Sequence, residues 1–372
     1  MNKKSIVITG GHFTPGLAVI ERLRIYGWKI HWIGVVEAFE GKKSQTLESK
    51  VLADSSIKFW PITTPKFNRR SPVFSMLSLW KFPVGIFQSI KILSSIRPSV
   101  ILSFGSYVSV PVSLVSWILR IPLVIHEQTT ASGLANRIAA RIAYKVAVSF
   151  PVSAVEFPAG KAVLVGNPVR GEIHEIGRSR SRKSVGKRPT LYITGGSRGS
   201  QIINQAVGEV LSEILKLCRV FHQTGSLDLA KVQSRGRRLQ PNLRKDYHIK
   251  DNFTPDEVGR IYKKADLVVS RAGANTISEL VVVGIPAILI PIPWVESDEQ
   301  NKNARLLASE GSATILPESD LSGGSLLAEI KEVLGKIDYY RVKAKRLKKK
   351  GIVPEDAVER IVSLIEKARR NK

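Results

Sequence analysis

The chain has 372 residues, of which 57 are lysine or arginine and 31 are aspartate or glutamate, so its formal net charge is +26. Hydrophobic residues account for 43% and charged residues for 24%, which excludes a disordered chain, a fibrous protein and a polytopic membrane protein. The single cysteine, Cys218, excludes a disulfide framework and a cysteine-based metal cluster. At roughly 150 residues per domain, the length indicates two domains, or three.

The positive charge is spread over both halves of the chain, so no single basic tail explains it. Nucleic acid, an anionic membrane surface and phosphorylated substrates are all compatible partners. A host whose proteins are generally basic would give the same balance. Charge alone therefore does not select among these explanations.

In the first half of the chain, strand-like apolar runs alternate with helix-like segments, which indicates a parallel sheet covered by helices. Residues 98–119 carry no charge and are long enough to span a bilayer. A short strand, a Ser/Gly turn and a buried helix explain that stretch better, because it contains Gly105 and Pro111. The predicted elements are a helix over Gly16–Tyr26 and strands over Ser5–Thr9, Lys29–Val35, Val100–Phe104, Leu123–Ile125 and Lys145–Val148.

The second half repeats this alternation. A stretch rich in Arg, Ser and Lys, Gly177–Lys187, separates the two series and is predicted to be a solvated linker. The chain closes with a basic segment, Arg341–Lys350, and a helix over Pro354–Arg369. The predicted strands of this half are Thr190–Thr194, Val220–Gln223, Leu267–Ser270 and Ala287–Ile290.

Both series begin with the same four residues, Ile-Thr-Gly-Gly, at Ile8–Gly11 and at Ile193–Gly196. Each copy follows an apolar strand and precedes an amphipathic helix. One such turn is a weak signal, but two at the same point of successive α/β units predict duplicated Rossmann-like domains.

These glycine turns are candidate phosphate sites, since glycine lets backbone approach a phosphate and the next helix offers free N–H groups. Gly195–Gly199 adds a hydroxyl and a guanidinium, although tight strand-to-helix packing without a ligand explains such a turn too. A third turn at Gly273 opens a helix in which Glu279 could accept hydrogen bonds from a ribose or remain a solvated carboxylate. None of the turns has the dinucleotide or P-loop spacing, which disfavours a nicotinamide enzyme or a kinase.

Further motifs follow one another along about residues 5–310. With the turns they form an ordered set: Thr9-Gly10-Gly11-His12, Tyr107-Val108-Ser109, His126-Glu127-Gln128, Gly133–Arg137, Val165–Arg170, Gly195-Gly196-Ser197, Asn204-Gln205, His222–Gly225, Gly273–Glu279, Gln300 and Asn303-Ala304. Taken together, these motifs resemble glycosyltransferase family 28, and specifically its N-acetylglucosaminyltransferases that complete the lipid-linked disaccharide of peptidoglycan.

The resemblance implies an α/β protein of the GT-B class, with two Rossmann-like domains facing across a cleft. Residues 1–170 would receive the acceptor and the membrane, residues 171–350 would bind the UDP-sugar, and residues 351–372 would form a helix packing back toward the N-terminal domain. The implied reaction is inverting transfer of N-acetylglucosamine from UDP-N-acetylglucosamine to a muramoyl-peptide diphospho-undecaprenol lipid. No cofactor is implied, and with no Asp-x-Asp motif a metal is not obviously needed.

Site residues follow from the motifs of the family. Inverting transfer needs a base for the acceptor hydroxyl, for which His12 and Glu127 compete, and charge stabilisation of the departing UDP. The implied acceptor-diphosphate contacts are Thr9, Gly10, Gly11, His12 and Tyr107. The implied UDP-N-acetylglucosamine contacts are Thr129, Arg170, Gly196, Ser197, Gly273, Ala274, Glu279, Glu299 and Gln300.

The sequence departs from the family pattern at four of these motifs. Thr129 replaces an asparagine that contacts the donor, Glu299 replaces the first of two glutamines, and Arg198 replaces a glutamine in the second turn. The first turn lacks its leading glycine pair and has Val7-Ile8 in that place. A GT-B enzyme that uses another UDP-sugar or another lipid acceptor is therefore the alternative. A basic nucleic-acid-binding module is a third reading, but no aromatic–basic motif supports nucleic acid as a partner.

The apolar stretch Val73–Ile86, flanked by Lys66, Arg69, Arg70 and Lys81, suits a segment that lies on anionic lipid. A core helix followed by a loop explains the same pattern. A polyprenyl-diphosphate-linked acceptor favours the first interpretation, which predicts a peripheral protein on the cytoplasmic face of the cell membrane. The residues predicted to face the membrane are Phe74, Leu77, Trp80 and Phe82.

Overall fold

The computed structural model describes residues 4–39, 42–46, 49, 52, 57–65, 80–130, 132–179, 188–295 and 298–371. These residues form two compact units. The first comprises Met1–Arg170 with Pro354–Lys372, and the second comprises Gly171–Val353. Each unit contains a parallel sheet flanked by helices, which confirms the prediction of two Rossmann-like α/β domains.

The described residues of the first unit form a sheet of seven parallel strands. A separate antiparallel pair of strands follows the second strand along the chain. The strands are β1 (Ser5–Gly10), β2 (Lys29–Gly34), β3 (Glu37–Phe39), β4 (Lys42–Gln45), β5 (Lys58–Pro61), β6 (Val100–Phe104), β7 (Leu123–Glu127), β8 (Lys145–Val148) and β9 (Ala162–Leu164). In space the large sheet runs β5-β2-β1-β6-β7-β8-β9.

Helices cover both faces of this sheet, so its central strands are apolar on both sides. Within β1, Ile6 and Ile8 pack into the core on one face and Val7 into the core on the other, as the two-residue period of a strand requires. The helices of the first unit are α1 (Phe13–Ile25), α2 (Lys81–Ile96), α3 (Ser109–Ile118), α4 (Leu134–Ala140), α5 (Pro151–Ala154) and, far along the chain, α16 (Ala357–Arg370).

The last helix, α16, belongs to the core of the first unit. Ile361, Ile365 and Ala368 are fully buried there, in the same apolar cluster as Trp28 and Trp32. Because these three positions recur at helical spacing, one face of α16 completes the apolar layer on the α1 side of the sheet.

The second unit is built around a six-stranded parallel sheet of order β12-β11-β10-β13-β14-β15. Its strands are β10 (Thr190–Thr194), β11 (Arg219–Gln223), β12 (Tyr247–Lys250), β13 (Leu267–Ser270), β14 (Ala287–Leu289) and β15 (Ala313–Ile315). Its helices are α6 (Gly171–Ser179), α7 (Gln201–Glu209), α8 (Leu211–Leu217), α9 (Leu229–Arg237), α10 (Pro241–Arg244), α11 (Pro255–Lys264), α12 (Ala274–Val283), α13 (Glu299–Ser309), α14 (Gly323–Gly335) and α15 (Ile337–Lys349), with a 3₁₀ turn at Glu318–Asp320.

One face of the second sheet carries the main apolar cluster, to which α7, α8 and α14 contribute. Cys218 lies in this cluster, and burial raises the pKa of its thiol to about 12, so the group behaves as a small apolar side chain. The opposite face receives α11, where the ring of Tyr262 packs against Tyr192 of β10.

Of the predicted linker Gly177–Lys187, residues 180–187 lie outside the described residues. Gly177–Ser179 form the last turn of α6 rather than a loop, because Ile173 and Ile176 anchor that helix in the interior. The structure confirms the interpretation of residues 98–119. Residues 98–119 contain strand β6 and helix α3, whose far end is exposed at Trp117 and Ile118. Within the ranges given above, no helix has the length and apolar character needed to cross a bilayer.

Candidate active site

Both sheets place their glycine turns at the point where strand order reverses. In the first unit β1 lies between β2 and β6, and Gly10 is the register partner of Phe104, so the turns after β1 and β6 are neighbours. In the second unit β10 lies between β11 and β13, and Thr194 is the partner of Ser270. In open parallel sheets, ligands bind at this edge, outside the carboxyl ends of the strands.

The turn after β1 is built around Gly10, whose φ is +137° and where a Cβ would lie 2.7 Å from the carbonyl carbon of Phe104. Only glycine fits such an approach. Thr9 is completely buried, whereas Gly11 is exposed and His12 is half-buried. Of the predicted acceptor contacts in this turn, Gly11 and His12 are therefore the ones a ligand can reach.

The imidazole of His12 is oriented by the neighbouring strand. Its Nδ1 lies 3.1 Å from the carbonyl oxygen of Phe104, and a carbonyl only accepts, so Nδ1 must carry the proton in this contact. A neutral His12 therefore presents an unprotonated Nε2. This is the tautomer that a general base needs.

Glu127, the other candidate base, is engaged differently. Its Oε1 accepts hydrogen bonds from the backbone N–H (3.1 Å) and the hydroxyl (2.7 Å) of Thr129. Its Oε2 accepts from the N–H of Gly133 (3.3 Å) and from Asn136 Nδ2 (2.9 Å). The carboxylate is 3% exposed and has four donors around it, an arrangement that holds the loop after β7 in shape.

The other predicted site residues of the first unit are Thr129, Tyr107 and Arg170. Thr129 and Arg170 are buried, and the hydroxyl of Thr129 donates to Glu127, as described above. Tyr107 is half-buried in the turn between β6 and α3, next to the turn that carries His12. Thr129 and Arg170 thus lie in a different unit from the other predicted donor contacts.

Beside this loop, His126 is completely buried between two polar partners. Its Nε2 lies 3.0 Å from the carbonyl oxygen of Gly166, and its Nδ1 lies 3.1 Å from Gln128 Nε2. Burial lowers the pKa of His126 to about 4. The neutral ring therefore serves as a fixed hydrogen-bonding link between the loops after β7 and β9.

In the second unit the turn Gly195–Gly199 leads from β10 into α7. Gly196 and Gly199 have φ values of +83° and +73°, and a Cβ at Gly199 would collide with the carbonyl oxygen of Thr224. Ser197 and Arg198, at the tip, are exposed. The turn therefore offers a hydroxyl, a guanidinium and the N-terminus of α7 to an anion.

Gln223 supports this turn from beneath. Its Nε2 donates to the carbonyl oxygen of Gly196 (3.1 Å) and to Thr194 Oγ1 (3.2 Å), while its Oε1 accepts from the N–H of Phe253 (3.0 Å). Every polar atom of the amide is thus bonded to backbone or to a side chain of fixed position. The consequence is a turn held in one conformation before a ligand arrives.

A third strand end contributes the Gly273 turn, which opens α12. Gly273 is the N-cap of that helix, and Ala274 is its first residue. Glu279 lies further along α12, 8% exposed, and its Oε2 accepts a hydrogen bond of 2.9 Å from the hydroxyl of Tyr262. The carboxylate is consequently held by a buried phenol of α11.

Glu299 and Gln300 begin α13, just after Asp298 with its φ of +57°. Gln300 Oε1 accepts from the N–H of Ile292 (3.1 Å), which places this side chain at the end of β14. Asn303 Nδ2 lies 3.4 Å from Glu299 Oε1 and 3.0 Å from the carbonyl oxygen of Ala272. Asn303 therefore links Glu299 to the residue before the Gly273 turn, whereas Gln300 is bonded to the segment after β14.

Sequence reasoning missed the residues that support the second-unit turns. The guanidinium of Arg271 forms a buried ion pair with Glu318 (2.6 Å) and donates to Ser200 Oγ (2.9 Å). His222 Nε2 lies 3.0 Å from Asn204 Oδ1, and its Nδ1 lies 2.7 Å from the hydroxyl of Tyr247. Asn204 and His222 occur in motifs of the family, and Arg271 precedes the Gly273 turn. A motif does not indicate, however, which of its side chains lie beneath a turn.

Burial gives His222 a measurable effect on stability, because it lowers the pKa of the ring to about 3. An unfolded histidine titrates near 6.5, so at pH 5 the unfolded chain binds a proton that the folded unit does not. From this residue alone, stability falls by about 2 kcal/mol between pH 7 and pH 5. Urea unfolding at the two pH values measures the loss, which the variant His222→Gln should reduce by a similar amount. An unchanged pH dependence in that variant contradicts the prediction.

The predicted membrane-facing residues fall in and before α2. Phe74 and Leu77 lie outside the described residues, Trp80 is 65% exposed and Phe82 is half-buried. The structure adds exposed apolar side chains that the prediction did not include. They lie on α2, α3 and α4, which pack on the same face of the sheet, and with Trp80 they form what we call the apolar surface: Phe87, Ile90, Trp117, Ile118, Leu134 and Ile138.

Two parallel-sheet units with phosphate-suited turns at their switch points are the architecture of the GT-B class. Residues 7–148 match the glycosyltransferase family 28 N-terminal domain, and residues 190–359 match its C-terminal domain. The chain belongs to glycosyltransferase family 28. The predicted family, fold class and enzyme class are thereby confirmed.

Relatives of similar length support this assignment. A Clostridium kluyveri protein is 33% identical, covering 98% of this chain and 99% of its own, and an Aeromonas hydrophila protein is 33% identical, covering 97% and 96%. Both are named UDP-N-acetylglucosamine–N-acetylmuramyl-(pentapeptide) pyrophosphoryl-undecaprenol N-acetylglucosamine transferase. Among solved structures, Acinetobacter baumannii MurG superposes with a TM-score of 0.68 at 24% identity, covering 98% of this chain and 99% of that one. A Neisseria meningitidis UDP-GlcNAc 2-epimerase bound to UDP-GlcNAc gives 0.60 at 12% identity, covering 98% and 99%.

Proposed function

We propose that the protein transfers N-acetylglucosamine from UDP-N-acetylglucosamine to the muramoyl-pentapeptide pyrophosphoryl-undecaprenol lipid, with inversion at the anomeric carbon. The observation that carries the proposal is the near-complete alignment, at 33% identity, with relatives named for this reaction. The product would be the lipid-linked disaccharide precursor of peptidoglycan.

The second unit supplies the features that a UDP-sugar requires. Ser197 and the N–H groups of the Gly195–Gly199 turn suit the diphosphate, Glu279 suits the ribose diol, and Gln300 with Glu299 suits the sugar hydroxyls. Arg198 adds a positive charge where negative charge develops as UDP departs. Because the turn is already held by Gln223, little reorganisation accompanies binding.

The first unit supplies the base and the acceptor diphosphate contacts. We assign the base to His12, because its Nδ1 is occupied by the carbonyl of Phe104 and its Nε2 carries the lone pair. The acceptor hydroxyl would give its proton to Nε2 as its oxygen attacks the anomeric carbon and the bond to UDP breaks. Glu127, with its four donors, is assigned to holding the loop that carries Thr129.

A GT-B enzyme for another UDP-sugar is the second candidate, and Thr129 is the observation that favours it. The family asparagine offers an amide at this position, whereas the Thr129 hydroxyl donates to Glu127. Glu299 likewise presents a carboxylate where the family has an amide. These two changes alter the hydrogen-bonding groups available to the sugar.

A transfer assay with radiolabelled UDP-N-acetylglucosamine and a short-chain lipid acceptor tests the proposal. Parallel reactions with UDP-glucose and UDP-N-acetylgalactosamine compare the sugars by kcat/KM, and NMR of the product reports the anomeric configuration. Preference for N-acetylglucosamine with inversion supports the proposal. Preference for another sugar supports the second candidate, and failure of every donor contradicts both.

The apolar surface supports a peripheral position on the cytoplasmic face of the membrane, where a polyprenyl acceptor would present its diphosphate. Trp80, Phe87 and Trp117 are among the most exposed large apolar side chains of the first unit. Exposed cations lie on or beside the same helices, and Lys81 Nζ lies 6.0 Å from the ring of Trp80. Apolar groups inserted among cations bind anionic lipid without crossing the bilayer. The cations are Lys91, Arg120, Arg137 and Arg141.

For this surface we expect the double variant Trp80→Ser/Trp117→Ser to bind anionic vesicles at least about tenfold more weakly, because each exposed aromatic group contributes roughly 1–2 kcal/mol on insertion. Vesicle co-sedimentation measures the loss, and added salt should weaken binding of the wild-type protein. Ile25→Ser, at an exposed apolar residue of α1 on the opposite face of the sheet, is the matched control. Equal binding of the double variant and the wild type would contradict the proposed surface.

A further inference from the structure

Two buried tyrosines lie together beneath the predicted nucleotide contacts of the second unit. The rings of Tyr262, on α11, and Tyr192, on β10, pack edge to face with centroids 5.9 Å apart and planes at 84°. Each hydroxyl has a different partner. Tyr262 donates to Glu279 Oε2 at 2.9 Å, and Tyr192 donates to Gln223 Oε1 at 3.3 Å.

We propose that Tyr262 is a positioning residue that fixes the Glu279 carboxylate for a ribose diol, so that discrimination between a ribonucleotide and its deoxy analogue depends on the phenol as well as on the carboxylate. This inference rests on the proposed function, which assigns the ribose to Glu279. Neither the family motifs nor the sequence pattern assigns a role to Tyr262.

The geometry supports positioning because the phenol itself cannot move. Tyr262 is 2% exposed, and its ring is held against Tyr192, so the hydroxyl oxygen has one location. A glutamate side chain has three rotatable torsions, and a charge-assisted hydrogen bond to one oxygen restricts all of them. Anchoring Oε2 leaves the carboxylate with lone pairs in defined directions for the two ribose hydroxyls.

The neighbouring tyrosine provides a matched comparison. Tyr192 is equally buried, and its hydroxyl acts on Gln223, which supports the Gly196 turn rather than Glu279. Removing the Tyr192 hydroxyl should therefore affect the diphosphate part of the site. It should weaken UDP and a deoxy analogue to the same extent.

The test measures dissociation constants for UDP and for 2′,3′-dideoxy-UDP by calorimetry in the wild type and in Tyr262→Phe, Glu279→Ala and Tyr192→Phe. We expect the wild type to prefer UDP by about 10- to 100-fold and Tyr262→Phe to lose about fivefold of that preference, the size of one hydrogen bond. Binding of the dideoxy analogue should stay within about twofold in Tyr262→Phe. Glu279→Ala should remove most of the preference, and Tyr192→Phe should keep it.

The outcomes separate this inference from the proposed function. A wild-type protein that binds both ligands equally contradicts the assignment of the ribose to Glu279. A wild type that prefers UDP, with an unchanged preference in Tyr262→Phe, contradicts only the positioning role. Equal weakening of both ligands in Tyr262→Phe also contradicts it, since a merely structural tyrosine would have that effect. Urea unfolding checks the fold, and Tyr262→Met is the second variant that lacks the hydroxyl.

Discussion

Replacing His12 with alanine should lower kcat for transfer by about 100- to 10,000-fold, the usual contribution of a positioned general base. The reason is that Nε2 is the nitrogen left to accept a proton when Nδ1 is bonded to the carbonyl oxygen of Phe104. Binding of UDP should change by no more than about twofold, since Ser197 and Glu279, the proposed diphosphate and ribose contacts, lie on the second unit. Steady-state transfer kinetics and calorimetry with UDP measure the two effects separately.

His12→Asn is the informative control for that experiment. An asparagine amide can donate to the Phe104 carbonyl as Nδ1 does, but it has no basic nitrogen. We therefore expect His12→Asn to be as slow as His12→Ala. Near wild-type turnover in His12→Asn would show that the residue only shapes the turn, and the search for a base would return to Glu127.

Replacing Glu279 with alanine should weaken UDP binding by about 10- to 100-fold, because hydrogen bonds to a charged group contribute roughly 1.5–3 kcal/mol. The Michaelis constant for the donor should rise correspondingly, and the affinity for the lipid acceptor should not change. Calorimetry of UDP binding beside donor and acceptor kinetics gives both quantities. Glu310→Ala serves as the matched control, because Glu310 is a carboxylate of the same unit that pairs with the surface cation Lys350.

One result would reverse the assignment of the two units. If Glu279→Ala binds UDP as tightly as the wild type while His12→Ala loses it, the donor site belongs to the turn after β1. The fold would be unaffected by that outcome. The reaction would then have to be described with the roles of the two sheets exchanged.

The central strands could be predicted from sequence because they are buried on both faces and therefore read as continuous apolar runs. For this reason the predicted bounds of Val100–Phe104 and Leu267–Ser270 agree to the residue with the observed strands β6 and β13. Strands β5, β9, β12 and β15 are not predicted from the sequence, although short central strands such as β13 are. These four are the edge strands of the two sheets and are partly exposed, so they do not read as continuous apolar runs.

Only those residues of the candidate site that belong to recognisable motifs could be predicted from the sequence. Gly196 and Gly273 follow recognisable strand ends, so their placement at one edge of the sheet is deducible from topology. Tyr262 was not deducible, because in sequence it is one more apolar position on an amphipathic helix. The role of Glu127 was not deducible either. A motif identifies the carboxylate, but it does not show the four hydrogen-bond donors that surround it in the fold.

Most of the apolar surface cannot be predicted from one contiguous stretch of sequence. Phe87, Trp117 and Leu134 are exposed apolar residues on three helices that are far apart in sequence. Each alone is an ordinary surface side chain. Only their placement on one helical layer makes them a candidate for lipid contact.

The position of α16 has a consequence for how the chain is made. The first unit is discontinuous, since its core is closed by side chains such as Ile361 and Ile365 that the ribosome adds after the whole of the second unit. A nascent chain that ends before residue 357 leaves the apolar cluster around Trp28 and Trp32 uncovered on that face. The second unit, whose residues are contiguous, can therefore complete its fold during synthesis, while the unit that emerges first must wait for the helix that emerges last.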